Sequence, residues 1–523
     1  MRFNLLFLLF FVGKLVLAQQ ADVLIKHGKI INGTGNSWFW GDIAIKDGKI
    51  LKIGTRLNCP ANRVIDANGL MVAPGFIDVH THIENDEKKN PLASNFIYDG
   101  VTTVITGNCG LSEVNIGSYL NMIDSLKLSV NVAALIGHND VRKAVMGSAN
   151  RHPTETELQE MELLVEKAMK DGAVGLSTGL IYIPGTYSTT NEIVRLAKIA
   201  AKYNGVYASH MRDEGDEIVN AIEETIKVGR EANIPVEISH FKLSGQQNWG
   251  RSSTTIPLIE KAREQGLDVT IDQYPYTASS TSLSTLLPDW VLADGQDSIN
   301  ARLGKPSIRK EVKGYMLAKL NKRKLKNFSY PVVASYKPDS SLNGKSIEQV
   351  NLIKGNKHTA IAEAETIIQM MEQGGAGMVF HGMSDEDVKA IMRYPYNMFA
   401  SDASIRIYKQ GNPHPRGYGT NARILGKYVR EEKIISLEEA IRRMTSLPAQ
   451  KFRLNNRGLL YEGFAADIVV FDEKTVKDAS TYNMPHQYST GFKYILVNGE
   501  ITVENGIQNS SRNGITIKNQ QSK

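Results

Sequence analysis

Residues 75–82 read Gly-Phe-Ile-Asp-Val-His-Thr-His, a short apolar run that passes directly into two histidines one residue apart. In a β-strand, residues i and i+2 face the same side, so both imidazoles can point at one spot beyond the carboxyl end of the strand. A His-x-His pair is a weak signal by itself. Its weight depends on what stands at the ends of the other strands.

Downstream of this pair, apolar β-like runs alternate with segments of helical spacing. The β-like runs are Val101–Thr106, Val130–Ile136, Ala173–Leu176, Gly205–Ser209, Pro235–Ser239, Asp268–Ile271, Met378–Phe380 and Met398–Ala400. The helical segments are Glu155–Asp171, Asn191–Tyr203, Glu214–Ala232 and Thr254–Gln265. Such alternation predicts the α/β class and a (β/α)8 TIM-like barrel, whose active site lies at the carboxyl ends of the strands.

Five of these strands end in residues that zinc uses as ligands. They are His80 with His82, Cys109, His210, His240 and Asp402. Thiolate, imidazole and carboxylate are the usual zinc ligands. A lone histidine here is more often a hydrogen-bonded structural residue, and Cys109 could be a buried small residue or, in an exported protein, could pair with Cys59. The convergence of five strand ends nevertheless favours a metal site in the barrel mouth.

The two ends of the chain carry short strands joined by Asp47-Gly48 and Asn498-Gly499, which favour tight hairpins. We therefore expect one small β-sandwich domain built from both chain ends. The expected boundaries are residues 19–75 and 457–510 for this domain, 76–456 for the barrel and 511–523 for a tail. The lysine-rich segment from about residue 284 to 349 is expected to form a small inserted domain over the barrel mouth.

Composition excludes several classes of protein. The 523 residues are 42% hydrophobic and 22% charged, which is typical of globular proteins and not of disordered, collagen-like or coiled-coil chains. The net charge of +6 is mild for this length, and no Lys/Arg block predicts a nucleic-acid partner. Two cysteines exclude a disulfide framework. The oligomeric state stays open.

The first residues have the pattern of a secretory signal. Arg2 precedes an apolar run from Leu5 to Val12, which resumes at Leu15 and ends with Ala18 at a small-residue cleavage site. A membrane anchor is the alternative, but the interrupted run is shorter than the roughly 20 residues of a span. We expect residues 1–18 to be a cleaved signal peptide, with no stable membrane span and an exported protein, periplasmic or secreted.

The stretch Ala73–His82 resembles the opening of the amidohydrolase superfamily. Further motifs narrow the resemblance to the N-acyl-D-amino-acid deacylase (D-aminoacylase) family. They are Gly100–Val104, Gly107–Gly110, Gly175–Leu180, Ser209–Arg212, Ser239–Lys242, His414–Arg416 and Met444–Ala449. The resemblance extends from about Asp22 to about Val503. It implies zinc-dependent hydrolysis of the amide bond of a small-molecule N-acyl-D-amino acid, giving a carboxylate and a free D-amino acid.

The same resemblance implies two metal positions. One tightly bound zinc is expected on Cys109, His210 and His240. A second, weaker site is expected on His80, His82 and Asp402.

Further roles also follow from the resemblance. Asp402 is the expected general base, which takes a proton from the attacking water and passes it to the leaving amine. Lys242 and Arg416 are expected to hold the substrate carboxylate. Either Tyr274 or Tyr276 is expected to polarise the scissile carbonyl, and the choice between them stays open.

The sequence departs from the family pattern at Ile83, at Ala403 and in Ser404–Gly411, which leaves the side-chain and acyl preferences open. His138 and His381 also follow β-like runs and are expected to support the structure. Two other functions compete. Many cyclic-amide hydrolases of the hydantoinase or dihydroorotase kind use a carboxylated lysine to bridge two metals, and the Cys109 position argues against that here. A non-catalytic periplasmic binding protein would not need the full ligand set and Asp402.

Overall fold

A computed structural model describes residues 20–519, and the expected signal peptide, residues 1–18, lies outside the described residues. Eight parallel strands form a barrel at its centre. They are Phe76–Asp78, Val101–Thr106, Asn131–Ala134 continuing as Ile136–Gly137, Gly175–Gly179, Val206–His210, Val236–Ile238, Val269–Gln273 and Asn397–Phe399. A parallel bridge between Thr81 and Ala403 joins the last strand to the first. The predicted (β/α)8 barrel is confirmed.

Helices connect the barrel strands. They are Ser94–Ile97, Ile116–Leu126, His138–Met146, Glu155–Asp171, Thr190–Lys202, Ile218–Ala232, Ser252–Glu264, Asp385–Arg393, Arg416–Arg423, Leu437–Met444 and Ser446–Lys451, with a π-helical segment at Ile424–Glu431. The longest barrel helix has clear end signals, since Thr154 forms a capping box with Glu157 and Gly172 adopts a φ of 116° at the other end. Short 3-10 turns lie at Gly185–Tyr187, Gln246–Asn248, Leu283–Leu286, Asp289–Leu292 and Ser340–Leu342.

One helix begins later than its sequence pattern predicts. Helical spacing extends back to Glu214, but the helix starts at Ile218. The Asp213 carboxylate accepts hydrogen bonds from the backbone N–H groups of Gly215 and Glu217 and so stabilises a turn there. As a result, Glu214 lies in a loop at the barrel mouth.

Both ends of the chain join in one nine-stranded sheet, as expected. Its strands are Ala21–Ile30, Phe39–Lys46, Lys49–Gly54, Ala61–Asp66, Met71–Pro74, Ile468–Phe471, Phe492–Val497, Glu500–Glu504 and Ile507–Gln508. Antiparallel pairing of Met71–Pro74 with Ile468–Phe471 connects the two halves. Buried aliphatic side chains from both, including Ile43, Val72 and Leu496, share one core.

Residues 511–519 do not form a separate tail. Ile515 accepts a hydrogen bond from the backbone of Val132, Ile517 donates one back to it, and Asn519 donates to Gly172. Ile517 also packs against buried side chains of the barrel. This segment therefore closes the amino ends of the strands, away from the candidate ligands.

The inserted domain is longer than predicted. Its antiparallel sheet contains Ala278–Ser282, Pro331–Ser335 and Gly377–His381, and its helices are Gln296–Leu303, Pro306–Lys322, Ile347–Ile353 and Ala360–Glu372. The predicted range of 284–349 thus covers only part of it, and Met378–Phe380 belongs to this sheet and not to the barrel. A short apolar run does not distinguish a parallel barrel strand from a strand of another buried sheet.

Within residues 20–519, every helix is too short or too polar to cross a bilayer.

Candidate active site

The ligands expected for the tight zinc converge at the carboxyl end of the barrel. Sγ of Cys109 lies 3.4 Å from Nδ1 of His210 and 3.6 Å from Nε2 of His240, and it lies 3.3 Å from Nε2 of His80. Nδ1 of His210 and Nε2 of His240 are 2.7 Å apart. With Zn–S bonds of about 2.3 Å and Zn–N bonds of about 2.0–2.1 Å, tetrahedral ligand atoms stand roughly 3.3–3.6 Å apart. The two Cys109 distances match this spacing and the two imidazole nitrogens lie closer together, while a thiolate with two imidazoles is a donor set that zinc uses.

The second expected group lies beside the first. Oδ1 of Asp402 is 3.3 Å from Nε2 of His82 and 3.7 Å from Nε2 of His80. Because His80 also contacts Cys109, the two groups share one wall of the site. All six candidate ligands are thus brought together, although they come from five strand ends.

Three of these residues have strained backbones. Cys109, His240 and Asp402 adopt φ values of 54°, 37° and 48°, in the left-handed region that favours glycine. Hydrogen bonds stabilise the turns, since the N–H of Asp402 donates to the carbonyl of His80 and the N–H of His240 donates to Asp272. The turn after each strand directs the side chain back over the barrel mouth.

Asp272 was not singled out from the sequence, yet it orients two ligands. Its Oδ2 lies 3.2 Å from Nδ1 of His80, and its Oδ1 accepts the backbone N–H of His240 at 3.0 Å. A proton held on Nδ1 leaves Nε2 of His80 free to face a metal. Asp272 is the first residue of the Asp-x-Tyr-Pro-Tyr stretch at residues 272–276, from which only the two tyrosines were predicted to be functional.

Glu214 was also missed. Its Oε1 lies 2.9 Å from Nδ1 of His240 and 2.5 Å from Nζ of Lys242. Burial acts to raise the pKa of Glu214, but Lys242 and the nearby histidines lower it below its ordinary value. Its place four residues after His210, in a helical pattern, resembled a surface position.

Lys242 lies in the cavity wall, and its ammonium already has partners in the protein. Its ammonium is bonded to Glu214 and to the carbonyl of His240, and the residue is 3% exposed. The amine therefore acts partly to hold Glu214 in place. Any contact with a substrate carboxylate is shared with these partners.

Charges in the site stabilise anionic ligands. Burial acts to raise the pKa of Cys109, yet His80 and His210 together lower it well below its usual value. Burial likewise acts to raise the pKa of Asp402, and Arg416 and His80 lower it well below its usual value. Both shifts favour the anionic form, the state that metal binding and proton acceptance require.

A cavity of about 1360 Å³ opens above the ligands. Arg416 lies in its wall, with Nη1 2.8 Å from Oδ2 of Asp402 and Nη2 donating to the carbonyl of Ser280 at 3.3 Å. The inserted domain supplies hydroxyl and apolar side chains to the same cavity, including Leu292 and Ile299.

The structure separates the two candidate tyrosines. Tyr274 lines the cavity, its ring lies 4.5 Å from the Arg416 guanidinium, and its buried hydroxyl has no hydrogen-bond partner among the described residues. Tyr276 lies outside the cavity lining and packs against His414 and Arg423. Of the two buried hydroxyls, both without a hydrogen-bond partner among the described residues, that of Tyr274 belongs to the residue that lines the cavity.

Tyr182 has no role in the sequence-based interpretation, but it lies in the cavity wall. Its ring is 4.9 Å from that of His210, and its hydroxyl lies 2.9 Å from the Thr281 hydroxyl of the inserted domain. It therefore links the metal ligands to the inserted domain.

His138, His381 and Cys59 are not part of the ligand groups. His138 is buried and bonded to Glu192 at 2.9 Å, and His381 packs on the Tyr482 ring at 4.8 Å. Cys59 and Cys109 are both free thiols. The cysteine pairing considered from the sequence is not formed.

Comparison with known proteins agrees with this geometry. The model of a family described as "Amidohydrolase family" matches residues 63–272 and 348–503. A D-aminoacylase of Alcaligenes xylosoxydans xylosoxydans is 34% identical over 506 residues, which cover 92% of this chain and 94% of the relative. An N-acyl-D-glutamate deacylase of the same organism is 33% identical over 503 residues, with 92% and 93% covered.

A solved structure is also similar over nearly its full length. It is the N-acyl-D-glutamate deacylase of Bordetella bronchiseptica, complexed with zinc and a phosphonate inhibitor that mimics the tetrahedral intermediate. It superposes with a TM-score of 0.81 at 32% identity and covers 96% of this chain and 100% of that one.

Proposed function

The chain belongs to the D-aminoacylase group of the amidohydrolase family, and on that premise we propose that it hydrolyses N-acyl-D-amino acids to a carboxylate and a free D-amino acid. The observation that carries this proposal is the convergence of Cys109, His210, His240 and Asp402 beneath a cavity that also holds Arg416. Metal ligands, a proton acceptor and a cation for a carboxylate thus stand in one place.

Zinc fits the Cys109, His210 and His240 donor set, and when bound it supplies Lewis acidity and activates water for attack. A weaker second position is available at His80, His82 and Asp402. Asp272 and Glu214 hold the outer nitrogens of His80 and His240, so the inner nitrogens of these rings stay available.

Asp402 moves the proton. Its carboxylate stays ionised beside Arg416, so it accepts a proton from the attacking water and returns it to the nitrogen of the leaving amine. Arg416 limits the basicity of Asp402 while it holds the carboxylate in position. The same guanidinium is placed to receive the α-carboxylate of the substrate, with Lys242 nearby.

Tyr274 is the donor best placed for the developing oxyanion, because its buried hydroxyl lines the cavity without a partner. The preference for one enantiomer follows from two fixed points on the substrate together with the cavity wall. With the carbonyl held at the ligands and the carboxylate held by Arg416, only one configuration at Cα directs the side chain into open cavity. The opposite configuration meets the wall, and even one methylene can discriminate by about 1–3 kcal/mol.

Matched panels of N-acetyl-D- and N-acetyl-L-amino acids test the proposal directly. We expect cleavage of D-substrates by zinc-loaded protein with little action on the L-forms. Hydantoin and dihydroorotate, assayed in parallel, test the cyclic-amide alternative. Equal rates on both enantiomers would contradict the carboxylate anchor, and turnover of cyclic amides alone would favour the alternative.

We further propose that the protein is exported, to the periplasm or outside the cell. Support comes from the order of Arg2, the apolar run from Leu5 and the small residues before position 19. Cell fractionation with N-terminal mass spectrometry tests it, and we expect a mature chain that starts at Gln19. A cytoplasmic protein with an intact Met1 would contradict this.

A further inference from the structure

The cavity contains a second guanidinium that the proposed mechanism does not use. Arg406 lines the cavity, and its buried Nε has no hydrogen-bond partner. Within residues 20–519, no carboxylate lies within ion-pair distance of it. A partly buried guanidinium without an acidic partner is unusual, because desolvating a charge is costly unless an anion compensates it.

The fold holds Arg406 in this position. Its backbone N–H donates to Oδ1 of Asn95 at 3.0 Å, and its carbonyl accepts from Nδ2 of Asn90 at 3.0 Å. A Cβ built on Gly417 would stand 3.0 Å from Nε of Arg406, so the glycine leaves room for the guanidinium. The side chain is therefore placed by its surroundings.

The carboxylates that attract Arg406 are already paired with other cations. Burial lowers the pKa of Arg406 and the positive charge of Arg416 lowers it further, whereas Tyr418, Asp86 and Asp402 act in the opposite direction. Asp402 is already paired with Arg416. Asp86, the other carboxylate that attracts Arg406, is paired with Lys89 at 2.9 Å.

We propose that Arg406 binds a second anionic group of the substrate, distinct from the α-carboxylate. This inference rests on the proposed function, and it names the substrate class as N-acyl-D-amino acids with a further carboxylate. The guanidinium fork matches a carboxylate with two parallel hydrogen bonds. Relatives named for D-glutamate and for D-aspartate are each 33% identical to this chain and a D-aminoacylase is 34% identical, so overall similarity does not decide the preference.

Two parts of the substrate can carry this carboxylate. The side chain does so in N-acetyl-D-glutamate, and the acyl group does so in N-succinyl-D-leucine. The wall supplied by the inserted domain is lined by hydroxyl and apolar groups such as Leu292 and Ile299 and by the carboxylate of Asp289. The part of the substrate that meets that wall is therefore not anionic, and the part that meets Arg406 is anionic.

Pairs of substrates that differ only in one charge test the proposal. N-acetyl-D-glutamate is compared with N-acetyl-D-glutamine, and N-succinyl-D-leucine with the amide of its succinyl carboxylate. The zinc-loaded enzyme should prefer the charged member of one pair by about tenfold or more in kcat/KM. Whichever pair shows the preference identifies the part of the substrate that meets Arg406.

Variants then assign the preference to Arg406. Arg406→Gln should bring the kcat/KM ratio of the preferred pair close to one, and Arg406→Lys should keep part of it. Lys143→Gln removes one positive charge from the wall of the same cavity and should leave the ratio unchanged. Zinc content and Tm show whether each variant is folded. If Arg406→Gln does not fold, Arg406→Lys still tests the proposal.

Two results would overturn the proposal. One is a wild-type enzyme without charge preference in either pair, and the other is a preference that survives in Arg406→Gln. If the enzyme cleaves N-acetyl-D-leucine but shows no charge preference, the role of Arg406 is contradicted and the proposed function is not. Failure to cleave any N-acyl-D-amino acid contradicts the proposed function itself.

Discussion

At the scale of single residues, Cys109 is the side chain on which both groups of ligands depend. Its thiolate contacts His80, His210 and His240, and its low pKa reflects the imidazoles around it. A thiolate that binds a metal cannot also form a disulfide, so Cys109 should not pair with Cys59.

Cys109→Ala should abolish both zinc retention and turnover, because it removes one of three protein ligands at the tight site. Metal analysis after desalting, together with a D-substrate assay, measures both effects. Cys59→Ala is the matched control and should keep zinc and activity, since Cys59 lies in the terminal sheet domain. Full zinc content in Cys109→Ala would show that the site is wrongly assigned.

Asp402→Asn should keep the tight zinc and lower kcat by about 10²–10⁴-fold, because an amide of the same shape cannot accept the proton. Asp289→Asn removes a carboxylate from the inserted-domain side of the same cavity and serves as control. Steady-state kinetics with metal analysis separate the two. Activity of Asp402→Asn near that of wild type would require a different base.

Tyr274→Phe should lower kcat by about 10²–10³-fold with a smaller change in KM, since it removes a donor that acts on the oxyanion of the transition state. Tyr276→Phe deletes the same hydroxyl from a residue outside the cavity and should have a much smaller effect. The kinetics of both variants decide between them. A larger loss for Tyr276→Phe would reverse the assignment.

At the scale of elements, the helix Ser446–Lys451 brings a buried amine against the barrel. Nζ of Lys451 donates to the carbonyl of Asp268 at 2.8 Å, and its side chain is 1% exposed. Burial lowers the pKa of Lys451 to about 8. Keeping Lys451 protonated in the folded protein therefore costs free energy of folding.

Lys451→Met should change the pH dependence of stability. The unfolded chain holds a lysine proton up to a pKa of about 10.4, whereas the folded chain releases it near pH 8. Wild-type stability therefore rises between these pH values, by up to about 3 kcal/mol, relative to the variant. Thermal melts of both proteins at pH 7.5 and pH 10 measure this, and parallel curves would contradict the lowered pKa.

At the scale of the whole molecule, the segment 511–519 ties the end of the chain to the barrel. Its backbone bonds to Val132, Leu128 and Gly172 lie at the amino ends of the strands, opposite the ligands. Barrel enzymes typically place stability at this end and chemistry at the other. The two properties can therefore be altered separately.

A chain that ends at Ser510 should melt at least about 3 °C lower than the full protein, because it loses these hydrogen bonds and the packing of Ile517. A chain that ends at Asn519 is the control and should melt as the full protein does. Zinc content should be equal in all three. A loss of zinc in the shorter chain would show that this segment also supports the site.

Local sequence predicted the barrel and the six candidate ligands. An apolar run that ends in His80 and His82, or in His210, predicts both a strand and a candidate ligand at its end. The barrel topology then brings such strand ends together. The helix Glu155–Asp171 was predicted to the residue, because its capping box and terminal glycine are local signals.

Only the tertiary structure decided the rest, since it depends on contacts between distant parts of the chain. Tyr274 and Tyr276 are alike in sequence, and packing alone places the first in the cavity and the second against His414. The sequence pattern around Glu214 is that of a helix surface, but Asp213 stabilises a turn that places Glu214 in a loop at the barrel mouth. Periodicity reports which side of an element is apolar, and it carries no information about which distant loop that side meets.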